Sequence, residues 1–144
     1  MKIRDILDRK GRQVVTVSPE RTVREAVGLL VDHDIGSLVV TNSGEVRGIV
    51  TERDALRLAA RDPEGWPEIS VSEVMTEELL VAVQDDQLDY IREIMTENKV
   101  RHLPIVEDGD LKGIVSIGDV VNASRRDVKA ENRYLRQYIR GDVR

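Results

Sequence analysis

The chain of 144 residues predicts an α+β fold: two copies of a β-α-β-β-α unit packed sheet to sheet, then a C-terminal helix. Three observations predict it. The sequence repeats itself, each copy carries a helical stretch followed by a strand–turn–strand pattern, and neither copy alone is large enough to bury a full core.

The elements follow in order. Ile3-Arg4-Asp5-Ile6-Leu7 reads as an extended lead-in to the first copy. Thr22 to Ile35 (TVREAVGLLVDHDI) places Val23, Ala26, Val27, Leu30 and Val31 at helical spacing. Thr22 and Glu25 form a T-x-x-E capping box that should fix the helix start. A strand, Ser37-Leu38-Val39-Val40, a turn at Gly44 and a second strand, Val46 to Val50, complete the hairpin. The second copy repeats this plan. Val71-Ser72-Glu73-Val74-Met75 is its lead-in, and Gln87 to Val100 its helix, with Leu88, Ile91, Ile94 and Met95 on one face. Leu103-Pro104-Ile105-Val106, Gly109 and Leu111 to Val115 form its hairpin.

The register between copies has no gap. Ile35, Gly44, Gly48 and Asp54 match Val100, Gly109, Gly113 and Asp119, each pair 65 positions apart. The lead-ins lie 68 apart, so the first copy carries three extra residues near Lys10-Gly11-Arg12. The organisation is therefore repeat 1 over 1–60, a linker over 61–70, repeat 2 over 71–125 and a helical extension over 126–144. The linker is marked by Pro63, Gly65 and Pro67, and its Trp66 is expected to pack on the seam between the copies. Helix is expected to run from Val120 to Arg140 and end at Gly141. Its stripe of Val128, Leu135 and Tyr138 suits either the body of the chain or a second subunit.

Composition narrows the function. A formal charge of −5 argues against general nucleic-acid binding, which draws on basic excess. With no cysteine there is no disulfide, thiolate metal site or thiol nucleophile, and His33 and His102 are too few for most histidine metal sites. Aromatics are 3% with no Phe, so the core must be aliphatic. No apolar run reaches a membrane span and Met1-Lys2-Ile3-Arg4-Asp5 is no signal peptide, so a soluble cytoplasmic protein is expected. No Ser/His/Asp set, HExxH or P-loop pattern appears, so no catalytic residue and no enzyme activity are expected.

The residues that carry chemistry are Gly48-Ile49-Val50-Thr51-Glu52-Arg53-Asp54 and Gly113-Ile114-Val115-Ser116-Ile117-Gly118-Asp119, both of the form G-h-h-[ST]-x-x-D. Each is a strand ending in a hydroxyl residue that opens a helix. Thr51 and Ser116 would be N-caps, with Asp54 and Asp119 in the first turn. One such motif alone is ordinarily a capping box. Two copies with the same glycine lead-in ask for more, because capping needs no preceding glycine. A helix N-terminus attracts anionic oxygen, and a carboxylate one turn in can accept from two adjacent sugar hydroxyls. Together they suit a ribose phosphate.

On these motifs, with Val17-Ser18-Pro19 and Leu103-Pro104-Ile105-Val106, the chain resembles the CBS-domain family over roughly residues 1–125. The resemblance implies tandem repeats (a Bateman module) with pseudo-twofold symmetry, two nucleotide clefts and flat homodimers. It implies ribose on Asp54 and Asp119, help from Thr51 and Ser116, and adenine near Val17, Ile49, Val83 and Ile114. Lys99-Val100-Arg101-His102-Leu103 and Lys112-Gly113-Ile114-Val115-Ser116 are similar to a nucleotide-binding repeat of the regulatory γ subunit of AMP-activated protein kinase. There a basic pair contacts phosphate, here Arg101 and His102 in swapped order. For His102 two roles stay open, phosphate contact or a rim position; His33 reads as a surface residue. The first copy has Ile35-Gly36-Ser37 instead, so Arg53 either supplies the charge or is a plain surface residue, and Gly118 stands at its place in the second copy. The implied function is a regulatory module that binds AMP, ADP or ATP, signals to a separate effector protein and performs no chemistry itself. The alternatives are a ligand-free interaction scaffold or a binder of NAD or S-adenosylmethionine. No nucleic-acid or membrane partner is expected.

Overall fold

The computed structural model describes residues 1–126. Its elements are α1 (Ile3–Lys10), β1 (Thr16–Val17), α2 (Val23–His33), β2 (Ser37–Asn42), β3 (Glu45–Thr51), α3 (Glu52–Arg61), α4 (Leu88–Glu97), β4 (His102–Glu107) and β5 (Asp110–Ser116). Two 3₁₀ turns, Trp66–Glu68 and Val71–Glu73, join the copies, and residues 117–126 form a final helix, α5. The stripe of Val128, Leu135 and Tyr138 lies outside the described residues.

The repeat is written into the backbone. Ser37 pairs with Thr51 across β2–β3, and His102 with Ser116 across β4–β5. Both ladders bulge at the same station, Val40/Thr41 and Ile105/Val106. Both hairpins close on two-residue turns at positive φ, Ser43-Gly44 and Asp108-Gly109, the backbone that matches strand twist and favours glycine second. β1 lies parallel to β2, while its counterpart in the second copy shrinks to a single bridge from Ala82 to Ile105.

Three expectations need correction. The lead-in at Ile3–Leu7 is helical, not extended. Ile3, Ile6 and Leu7 recur at helical spacing and all are buried. The Thr22 hydroxyl accepts from the Glu25 N–H at 3.2 Å, but the Glu25 carboxylate does not return to Thr22 N–H. It pairs with Arg21 at 2.6 Å instead, so only half of the capping box forms. Trp66 is half-buried against α2 and α3 of the first copy, not on the seam.

The lead-ins are exchanged. Ile3 N–H donates to Asp86 C=O and Arg4 N–H to Gln84 C=O, in the second copy; Val71 N–H donates to Arg21 C=O and Ser72 N–H to Pro19 C=O, in the first. The donors are 68 apart and the acceptors 65, the two spacings of the repeat. Side chains follow the backbone. Ile3, Ile6 and Leu7 pack with Leu88, Ile91, Met95, Leu103 and Val115, whereas Val71, Val74 and Met75 join Val17, Leu30, Leu38 and Val50. Each copy thus completes its core with the other's first segment.

This crossing explains the paired glycines. A Cβ on Gly48 would stand 2.7 Å from the Thr76 carbonyl oxygen, and one on Gly113 would stand 2.8 Å from Leu7 Cδ2. Both contacts come from the exchanged segments. The glycine ahead of each motif is therefore a packing requirement of the fold.

Candidate nucleotide cleft

Each G-h-h-[ST]-x-x-D motif folds as a reciprocal cap. Thr51 N–H donates to Asp54 Oδ2 at 2.8 Å and Asp54 N–H to Thr51 Oγ1 at 3.2 Å; Ser116 and Asp119 repeat this at 2.8 and 3.1 Å. The helix start is less open than the sequence suggested. Glu52 N–H is used by Gly36 C=O, and Ile117 N–H by Arg101 C=O. Among the described residues, that leaves the N–H groups of Arg53 and Gly118 without a protein acceptor in the first turn. The caps also use only Oδ2, so Asp54 Oδ1 has no hydrogen-bond donor among the described residues.

A cleft of about 690 Å³ opens in front of the first motif, and both copies line it. Ile49, Thr51, Arg53, Asp54 and Arg57 come from β3 and α3, and Leu79, Leu80, Lys99, Arg101 and His102 from the second copy. Ile49, Leu56, Leu79 and Leu80 give it an apolar side; Arg53, Arg57, Lys99 and Arg101 give it a cationic one. Lys99 adopts left-handed backbone, φ 54, where the chain turns from α4 toward β4. None of these four cations has a carboxylate within ion-pairing distance among the described residues, whereas Arg4, Arg21, Arg24 and Arg92 elsewhere do. Glu52, Asp54 and Glu78 supply the negative charge.

The grouping differs from that read in sequence. Arg101 and His102 line the cleft of Thr51 and Asp54, across the pseudo-twofold, rather than a cleft of their own repeat. Gly36 makes this possible. A Cβ there would stand 3.2 Å from His102 Nε2, so the residue that seemed a missing cation is the space the imidazole uses. Burial pushes the His102 imidazole below its ordinary value; Glu52 and Asp119 oppose this, while Arg101 and Lys10 add to it. Burial thus favours the neutral, hydrogen-bonding imidazole, and the cleft's cationic side is made by the arginines and lysine.

Other expected residues lie elsewhere. Val17 is buried in the first core and borders a separate hollow beside α2. Val83 is exposed and is not part of the cleft wall. Ile114, Ser116, Gly118 and Asp119 stand together at the β5–α5 junction, apart from this cleft. There Lys10 Nζ donates to Asp119 Oδ2 at 2.7 Å and to Ile114 C=O at 2.9 Å. Burial raises the Asp119 carboxyl, but the Lys10 and Ser116 hydrogen bonds outweigh it and hold the group below the usual carboxylate range. The apolar wall at Leu79 and Leu80, and Arg57, were missed in sequence. They sit in the stretch after Met75 and one turn into α3, where no periodic pattern marks them.

No helix among the described residues is long and apolar enough to cross a membrane. The CBS domain model matches residues 3–61 and 71–126. The CBS domain-containing protein YhcV of Bacillus subtilis is 38% identical over 80% of this chain and 81% of its own length. A CBS-domain containing protein from Agrobacterium tumefaciens superposes with a TM-score of 0.83 at 45% identity, over 86% of this chain and 99% of that one. A CBS domain pair solved in complex with 5′-methylthioadenosine and S-adenosyl-L-methionine shares the fold at a TM-score of 0.78 and 23% identity, over 88% and 98%. The crossed lead-ins, the doubled β-α-β-β-α plan and these matches agree: the chain belongs to the CBS-domain family, as a tandem pair.

Proposed function

We propose that this chain is a regulatory module that binds an adenine nucleotide, AMP, ADP or ATP, in the cleft between its two copies and signals to a separate effector protein. One observation carries the reading. Four cations without ion-pair partners among the described residues face a capped threonine–aspartate motif across a cleft with an apolar side. Phosphate would meet Arg53, Lys99 and Arg101, ribose hydroxyls would meet Asp54, and the base would lie against Ile49, Leu79 and Leu80.

Such a ligand would touch both copies at once, so its binding free energy biases their relative arrangement, which a partner can read. The Thr51 hydroxyl serves as a helix cap, accepting from the Asp54 N–H, and we propose that the module binds without turnover. The homodimer is part of the same proposal. Val31 and Leu56 are 72% and 70% exposed and flank the groove between α2 and α3 beside Trp66, an apolar face suited to a second copy. We place the module in the cytoplasm.

A second reading is an adenosyl ligand without a phosphate chain, the class seen in the fold-sharing pair solved with 5′-methylthioadenosine and S-adenosyl-L-methionine. Isothermal titration of folded, ligand-free protein with AMP, ATP, NAD and S-adenosylmethionine separates these. Saturable binding of AMP or ATP is expected. Saturation by S-adenosylmethionine alone favours the second reading, and flat titrations throughout leave an interaction scaffold.

A further inference from the structure

The two motifs are equivalent in backbone and unequal in occupancy. In the first copy the Ile49 carbonyl accepts from the Thr76 N–H at 2.9 Å, where the exchanged lead-in continues in extended form. In the second copy the matching carbonyl, Ile114, accepts from the Lys10 ammonium at 2.9 Å. The reason lies in the three extra residues of the first copy. α1 stays helical through Lys10, while its counterpart is the single 3₁₀ turn Val71–Glu73. Gly11, at φ 102, then releases the chain. The lysine at the helix end reaches where the other lead-in presents backbone.

Lys10 does more than replace that backbone bond. Its ammonium also contacts Asp119 Oδ2 at 2.7 Å, with the two side chains 35% and 24% exposed. No cation lies within ion-pairing distance of Asp54 among the described residues, and the residue 68 positions after Lys10 is Glu78, which repels a carboxylate.

We infer that Lys10 is an internal occupant of the second motif: its ammonium fills the space between Ile114 C=O and Asp119 and competes with ribose hydroxyls for that carboxylate. The chain at rest therefore takes up nucleotide in the Asp54 cleft alone. The asymmetry is built into the first ten residues, and a ligand at Asp119 must first displace Lys10. This inference rests on the nucleotide reading above.

The test compares wild type, Lys10→Met, Asp54→Asn and the double variant by isothermal titration with AMP. Lys10→Met keeps the aliphatic stem and removes the ammonium. The wild type should bind one AMP per chain and Lys10→Met two; Asp54→Asn should lose its strong site, and the double variant should keep one. Two sites in the wild type, one site in Lys10→Met, or weakened binding in Lys10→Met would each overturn the inference. A separate readout needs no nucleotide: the Asp119 carboxyl, followed by carbon NMR, should titrate higher in Lys10→Met. An unchanged titration removes the tether even if AMP binds nowhere, while a raised one with no AMP binding keeps the contact and sinks only the nucleotide reading.

Discussion

Asp54→Ala is expected to weaken AMP binding about tenfold to 150-fold, equivalent to roughly 1.5–3 kcal/mol for hydrogen bonds to a charged group. The carboxylate spends one oxygen on the Thr51 N–H and keeps the other for ligand. The same substitution removes half of a capping box, which costs about 1 kcal/mol of stability. A thermal melt run beside the titration separates the two effects. Asp54→Asn preserves an acceptor for the Thr51 N–H and removes the charge, so it should lose affinity with little loss of stability. Unchanged affinity in a folded Asp54→Ala protein would remove the ribose assignment. The matching change at Asp119 should have a much smaller effect on AMP binding, because Lys10 already holds that carboxylate.

Leu7→Ala should be the most costly single truncation in the first ten residues. Leu7 is fully buried, and large-to-small changes at such sites cost about 2–5 kcal/mol. Its location makes the effect diagnostic. Leu7 belongs to the first copy's lead-in in sequence yet packs on Gly113 and in the core of the second. Native-state hydrogen exchange should therefore show β4 and β5 losing protection ahead of β2 and β3 in Leu7→Ala. The opposite order would contradict the exchanged lead-ins.

The repeat, both hairpins and both motifs were legible because a shared spacing of 65 leaves few alternatives. The exchange of lead-ins was not. Apolar residues at Ile3, Ile6 and Leu7 announce a buried face but not whose core buries it. Their helical spacing was present in the sequence, and matching them to the short Val71–Met75 segment obscured it. The site was read in two halves for a related reason. Arg101 and His102 share a repeat with Ser116 and Asp119, so sequence proximity grouped them, whereas the pseudo-twofold carries them to Thr51 and Asp54. Gly36 looked like a lost cation until its space proved to be filled by His102. Val17 followed the family pattern but is committed to the core. Lys10 carried no signal beyond being a lysine near an insertion; only the helix that ends there gives it a target.

On the proposed function, the cleft recognises both the ribose and the phosphate of an adenine nucleotide. Titration of the same ligand-free protein with AMP and with adenosine tests it most directly. Saturable binding of AMP with clearly weaker binding of adenosine is expected, because Arg53, Arg57, Lys99 and Arg101 line the cleft with no carboxylate within ion-pairing distance among the described residues. Equal affinity for the two, or no binding of AMP to the folded chain, would contradict it.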